Sequence, residues 1–173
     1  MTARSSVLGD ALVAPGPAAD RADAMSLYGQ FIGSWDGKVV VHEAAGGRRE
    51  SSSEVHFGWV LGGRAVQDVW IAPARADGQP DRMHGTTLRV YDPKSEVWEI
   101  TWIDPVKQAF NRMIGRRIGA DIVQEYRNEQ GTRCQWLFTE ITPDSFHWIA
   151  RDSADEGATW QIRAEFFLRR RAS

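Results

Sequence analysis

From Gly33 onward the chain alternates apolar and polar side chains with a period of two, cut by turn residues at intervals of roughly 8 to 12 positions. No segment in that stretch is long enough for a packing helix. Such a pattern cannot supply the crossovers of a parallel sheet, which need a dozen or more residues each. It predicts about ten strands, near residues 38–43, 52–61, 65–72, 85–92, 97–104, 109–116, 121–128, 132–141, 145–152 and 159–169. Asp92-Pro93-Lys94-Ser95 fits a type I turn, and Asn128 to Gly131, Thr142-Pro143-Asp144 and Asp155-Glu156-Gly157 supply further breaks. An up-and-down meander is the simplest topology. Closing it into an antiparallel barrel abolishes the sheet edges, and more than about eight strands enclose more space than side chains readily fill. A cavity is therefore expected. A two-sheet sandwich satisfies the same periodicity.

Ahead of the strands, residues 1–19 are rich in Ala, Ser, Pro and Gly, with Pro15-Gly16-Pro17 as a breaker, and read as a flexible tail. Residues 20–173 are then a single domain, in keeping with a length of 173 residues. Within 20–32, Ala24, Leu27, Tyr28 and Phe31 recur at helical spacing, with Asp20 or Asp23 available as N-cap and Gly33 as stop. This predicts one short helix.

The 21 basic and 23 acidic residues nearly balance, and apart from Arg169-Arg170-Arg171 the basic ones are scattered, which excludes a nucleic-acid footprint. No apolar run approaches the roughly 20 residues that span a bilayer, so no membrane association is expected. Cys134 is the single cysteine and can form no internal disulfide, a usage that fits the reducing cytoplasm. It reads as a small core residue. His-x-His, His-Glu-x-x-His, P-loop, Gly-x-Ser-x-Gly and dinucleotide signatures are all missing, so no metal and no nucleotide cofactor is expected.

Eight Trp beside seven Phe form the compositional anomaly. Core packing explains them, and so does a stacking surface for a flat apolar ligand. Strand parity turns Trp59, Trp98, Trp102, Trp136, Trp148 and Trp160 inward. Polar residues that share inward parity are the candidates for chemistry, because burying them costs free energy unless something satisfies them. On this reading Asp68 goes with Val66 and Trp70, His84 with Leu88 and Val90, Arg112 with Phe110 and Ile114, and Glu125 with Val123. A His and a carboxylate could act as a general base, with Arg112 holding an oxyanion. Ion pairs to Arg64, Arg89 or Arg112 explain Asp68 and Glu125 equally well. His56 and His147 fall on the outer face, and His42 has no evident partner.

A short helix followed at once by Gly33-Ser34-Trp35 resembles the opening of lipocalin and wider calycin barrels. The longer set, Phe31 to Gly37, Gly58 to Arg64, Thr87 to Pro93 and Trp98 to Trp102, resembles the DUF1579 type of uncharacterised bacterial lipocalin-like proteins over roughly residues 25–170. That resemblance implies a barrel of about ten strands and no established activity. The haem-binding nitrobindins are structural relatives of this group. Their axial His sits on the final strand, whereas residues 159–169 contain no His, so haem is not expected.

These observations predict a barrel that binds a small hydrophobic or aromatic molecule, the candidate contacts being Trp59, Asp68, His84, Trp102, Arg112, Glu125, Trp136 and Trp148. The alternative is a cofactor-independent cyclase, isomerase or lyase in which the polar members of that set cluster. A homodimer formed through exposed apolar strands is the third reading.

Overall fold

The computed structural model describes residues 6–172. They form two short helices, α1 (Val7–Leu12) and α2 (Ala22–Gly29), and ten strands. The strands are β1 (Gly33–His42), β2 (Arg48–Val60), β3 (Ala65–Ala72), β4 (Met83–Asp92), β5 (Val97–Asp104), β6 (Ala109–Ile118), β7 (Asp121–Arg127), β8 (Arg133–Thr139), β9 (Ser145–Ser153) and β10 (Gln161–Arg170). Each strand pairs antiparallel with its neighbours in sequence, and β1 also pairs with β10, from Trp35 opposite Arg170 to Val41 opposite Ala164. The ring is closed, as the two-residue periodicity predicts, and the sandwich alternative is excluded. Among the described residues no helix is long and apolar enough to cross a membrane.

The expected helix is α2, entered through a 3-10 turn, Ala19–Arg21. Neither aspartate caps it: the N-cap is Arg21, without a side-chain cap bond, and the Asp20 carboxylate instead accepts from Arg64 at 2.9 Å. The helix stops at Gly29, short of residue 32, because Phe31 turns into the barrel. There its ring meets Phe138 at 4.8 Å, Phe146 at 4.9 Å, Phe57 at 5.5 Å and Trp35 at 6.4 Å between centroids. Met25 and Tyr28, on the inner face of α2, are fully buried beside them. The Trp35 indole N–H donates to the Phe31 carbonyl at 2.7 Å. Arg170 lies over the Trp35 ring at 4.1 Å and donates to the carbonyls of Gln30, Ile32 and Pro143, each at 2.7 Å. One end of the barrel is plugged by these contacts.

The flexible-tail reading of residues 1–19 covers five residues outside the described chain. From residue 6 the chain carries a short helix and backbone pairing. Ser6 caps α1 by accepting from the Gly9 amide, and a strap then runs along the β2–β3 turn. Ala14 N–H donates to Trp59 O, Leu61 N–H to Leu12 O and Ala18 N–H to Gly63 O, all at 2.9 Å. Pro15-Gly16-Pro17 breaks regular structure without loosening the chain, since backbone groups on both sides of it are paired.

Two strand starts also move by four residues or more. β1 begins at Gly33 rather than residue 38, and β2 at Arg48 rather than residue 52, giving a strand of 13 residues. Arg48 to Ser51 pair with His42 to Val39 despite their polarity, because backbone groups, not side-chain type, close the ladder at the barrel mouth.

Parity is inverted in three strands. In β4 the buried set is Met83, Gly85, Thr87 and Arg89, with His84 exposed and Val90 37% exposed. In β6 Met113 and Gly115 are buried while Phe110 is 70% exposed. In β7 Ile122 and Gln124 are fully buried and Glu125 faces out. Assigning apolar residues inward fails wherever the barrel seats an Arg, a Gln or a Gly inside, and a slip of one residue exchanges the two faces. In β10 a bulge between Ile162 and Ala164 leaves Ile162 39% exposed, so only Ala164, Phe166 and Leu168 keep the expected inward orientation.

Candidate ligand cavity

The plugged end leaves a cavity of about 270 Å³ in the other half of the barrel. Its wall is aromatic because successive inward positions of β3, β5, β8, β9 and β10 carry Trp70, Trp102, Trp136, Trp148 and Phe166. The rings form a chain. Phe166 meets Trp70 edge-on at 5.0 Å, Trp70 meets Trp148 at 5.3 Å, Trp148 meets Trp136 at 5.2 Å, and Trp136 meets Trp102 at 5.6 Å. Edge-to-face geometry holds each indole in one orientation while leaving other faces for a guest. Small residues, Ala72, Ala109, Ala150 and Ala164, widen the space between the rings.

Arg89 and Thr87 line the cavity where it meets the core. Arg89 is 1% exposed, and its Nη1 donates to Asp68 Oδ2 at 2.5 Å while Nε donates to Gln124 Oε1 at 2.9 Å. Asp68 Oδ1 accepts the Thr87 amide at 2.8 Å, and the Tyr28 hydroxyl donates to Gln124 Oε1 at 3.1 Å. The guanidinium also lies over the rings of Tyr28 at 4.8 Å and of Phe57 and Phe138 at 5.7 Å. Burial pushes the Tyr28 phenol well above its ordinary range, so it stays a neutral donor. This network fixes Arg89 through a buried ion pair whose remaining polar groups are mostly satisfied, the condition under which such a pair is tolerated. Gln124 Nε2 is left without a hydrogen-bond partner.

At the open end the wall carries Arg49, Glu50, Arg82 and Lys107. Arg49 reaches Glu43 at 3.4 Å, and Glu50 pairs with Arg48 at 2.6 Å and Lys38 at 3.5 Å. Asp104, fully buried, completes this rim between Trp102 and the β5–β6 turn.

Of the residues singled out in the sequence, Trp102, Trp136 and Trp148 line the cavity. Asp68 lies behind it, held by Arg89, one of the three arginines offered as its partner. Trp59 packs outside the cavity, its indole pressed on Gly29 of α2. The other three polar candidates sit on the outer face, a correction that follows from the inverted parity of their strands. His84 pairs with Asp81 at 2.7 Å, Arg112 with Glu99 at 3.3 Å, and Glu125 with Arg133 at 2.5 Å. Arg133 holds the Glu125 carboxyl below its ordinary range. The four polar residues therefore do not cluster.

The remaining histidines also face away from the cavity. His56 contacts Ser34 at 2.8 Å and Glu54 at 3.3 Å. His42 has a partner after all: Glu165 of β10 lies 2.8 Å from its Nε2 and 3.1 Å from that of His147. Among the described residues no group of His, Cys, Asp or Glu is arranged to hold a metal ion. Cys134 is buried with its thiol toward Thr132 O at 3.5 Å, and burial raises its pKa, which disfavours a thiolate nucleophile. Sequence reasoning offered Arg89 only as a partner of Asp68 and missed Thr87, Gln124 and Asp104. The Asp104-Pro105 step signals a turn and nothing more.

A ten-stranded antiparallel ring with one plugged end and one open cavity defines a calycin-like, lipocalin-like barrel. No family model matches the chain and no curated protein matches it. Solved structures that share the fold include the following two. Rv2717c from M. tuberculosis superposes with a TM-score of 0.59 at 17% identity, covering 87% of this chain and 99% of its own. The S-type phycobiliprotein lyase CPES from Guillardia theta gives 0.56 at 14% identity, covering 91% and 99%.

Proposed function

We propose that this chain, a barrel of the DUF1579 type, binds a small apolar aromatic molecule in its cavity. The observation that carries the reading is the run of four indoles and Phe166 around a space of about 270 Å³. Close-packed interiors rarely keep such a volume, and an aromatic guest would recover the dispersion contacts the wall lacks. Native mass spectrometry of the purified protein tests this directly. A retained organic molecule, or saturable quenching of tryptophan emission by an aromatic probe, is the expected result. A clean apo mass together with no response to a panel of aromatic probes would overturn it.

A catalytic reading draws on one observation, that a neighbour in fold space is a phycobiliprotein lyase. The dispersal of His84, Arg112 and Glu125 over the outer face counts against the catalytic cluster that the sequence suggested. Binding is therefore the better supported function. Conversion of a retained molecule into a second mass on incubation would restore the enzyme.

A further inference from the structure

Asp104 closes β5 at the open end of the barrel and is fully buried. Its Oδ1 accepts the amides of Val106 at 3.0 Å and Lys107 at 3.2 Å, which shapes the turn into β6. One oxygen suffices for that. The other, Oδ2, is shut off from solvent and has no hydrogen-bond partner among the described residues, although the residue lines the cavity beside Trp102, Ala109 and Asn111. None of the cations that share the wall pairs with it. A buried carboxylate oxygen without a donor is costly and rare in native structures, and a water, an ion or another partner from outside the chain is among the explanations such a group calls for.

We propose that Asp104 Oδ2 is the specificity-determining acceptor of the cavity, receiving an N–H or O–H from the edge of the bound aromatic molecule. The inference rests on the cavity-binding reading and deepens it. The ligand class becomes neutral planar aromatics that carry one donor, such as indoles and phenols, in preference to aromatic hydrocarbons or their N- and O-alkyl forms. Protonated amines are disfavoured because Arg49, Arg82, Arg89 and Lys107 outnumber Glu50 and Asp104 around the cavity. The indole wall stacks on the ring while the carboxylate selects its edge, the usual division of labour in a mostly apolar pocket with a few placed polar groups.

The test compares indole, 3-methylindole and 1-methylindole by isothermal titration calorimetry on the wild-type protein and on Asp104→Asn, whose amide keeps an acceptor for the turn and places an NH2 where Oδ2 stood. Wild type is expected to bind indole and 3-methylindole about tenfold or more tighter than 1-methylindole, the scale of a hydrogen bond to a charged group. In Asp104→Asn that ratio falls to about one while 1-methylindole is little changed. A second pair on the wild type alone, 2-naphthol against 2-methoxynaphthalene, should show the same preference and needs no variant to fold. Equal binding of donor and alkylated probes, as expected where a water occupies the position, overturns the inference and leaves the cavity reading standing. So does a preference that survives in Asp104→Asn. Failure of every probe to bind overturns both.

Discussion

Arg89 carries a full charge to the centre of the barrel, where Asp68, Gln124 and three rings surround it. Removing one half of such a pair leaves the other buried and uncompensated, at a cost of about 3–5 kcal/mol. Arg89→Met should lower the stability by that amount in urea unfolding, and Arg89→Met combined with Asp68→Leu should recover most of it. An additive loss in the double variant would show that the two side chains act separately. Glu54 offers a pH-dependent counterpart on the outer face. The Arg75 side chain donates to it at 2.5 Å, with the Arg75 amide, His56 and Arg171 also in reach, and Arg75 above all holds the carboxyl down to about 2. Because the folded pKa lies below the ordinary carboxylate value, this stability is complete above about pH 4.5 and is lost as the pH falls from there toward 2. Arg75 is mostly exposed and screened by solvent, so the contribution falls below the usual charged hydrogen bond, to about 1 kcal/mol. Glu54→Gln should lower the urea midpoint at pH 7 and flatten its decline between pH 5 and pH 2. At this scale the partner of Asp68 could be narrowed in the sequence to three arginines. The orphaned oxygen of Asp104 could not, since one aspartate before a proline reads simply as a turn.

Elements were legible wherever hydrophobic alternation and burial agree, as in β5, where Trp98, Ile100 and Trp102 are all buried. They were misread where the inner face is polar or empty: β4 hides Thr87 and Arg89, and Gly85 yields its space to the Trp102 indole. A Cβ at Gly85 would strike that ring and, at 2.8 Å, the Ile103 carbonyl oxygen, so Gly85→Ala should lower the melting temperature, shift the tryptophan emission and weaken binding of an aromatic probe. The strap preceding α2 escaped notice because its sequence has no periodicity. Its stability comes from backbone bonds to β2 and the β2–β3 turn. Gly63 there has φ +76°, and a side chain would run into Gly16 O and, at 2.7 Å, Ala18 N. Gly63→Ala should cost about 1–3 kcal/mol and speed amide exchange at Ala14 and Ala18 first. Uniform exchange across the barrel would refute a local role for the strap.

At the scale of the molecule, one half of the barrel is filled by α2 and its aromatic partners and the other half is left open, so stability and binding are assigned to separate halves. A ligand that occupies only the folded state adds stability by mass action, about 2.7 kcal/mol at a hundred times its dissociation constant. An aromatic probe that binds the cavity should therefore raise the melting temperature in proportion to the logarithm of its concentration, and a probe that leaves it unmoved is not bound there. The closure of the ring between β1 and β10 has a consequence for biosynthesis. Translation delivers β1 at residue 33 and its second neighbour only at residues 161–170, so for most of synthesis the nascent sheet has two unsatisfied margins, at β1 and at the newest strand. Arg170, whose guanidinium reaches the end of α2 across Trp35, and Arg171, which pairs with Asp36 of β1, come with that strand. Until β10 is made, those two margins stay unpaired, the kind of edge onto which a second copy of the chain can add a strand.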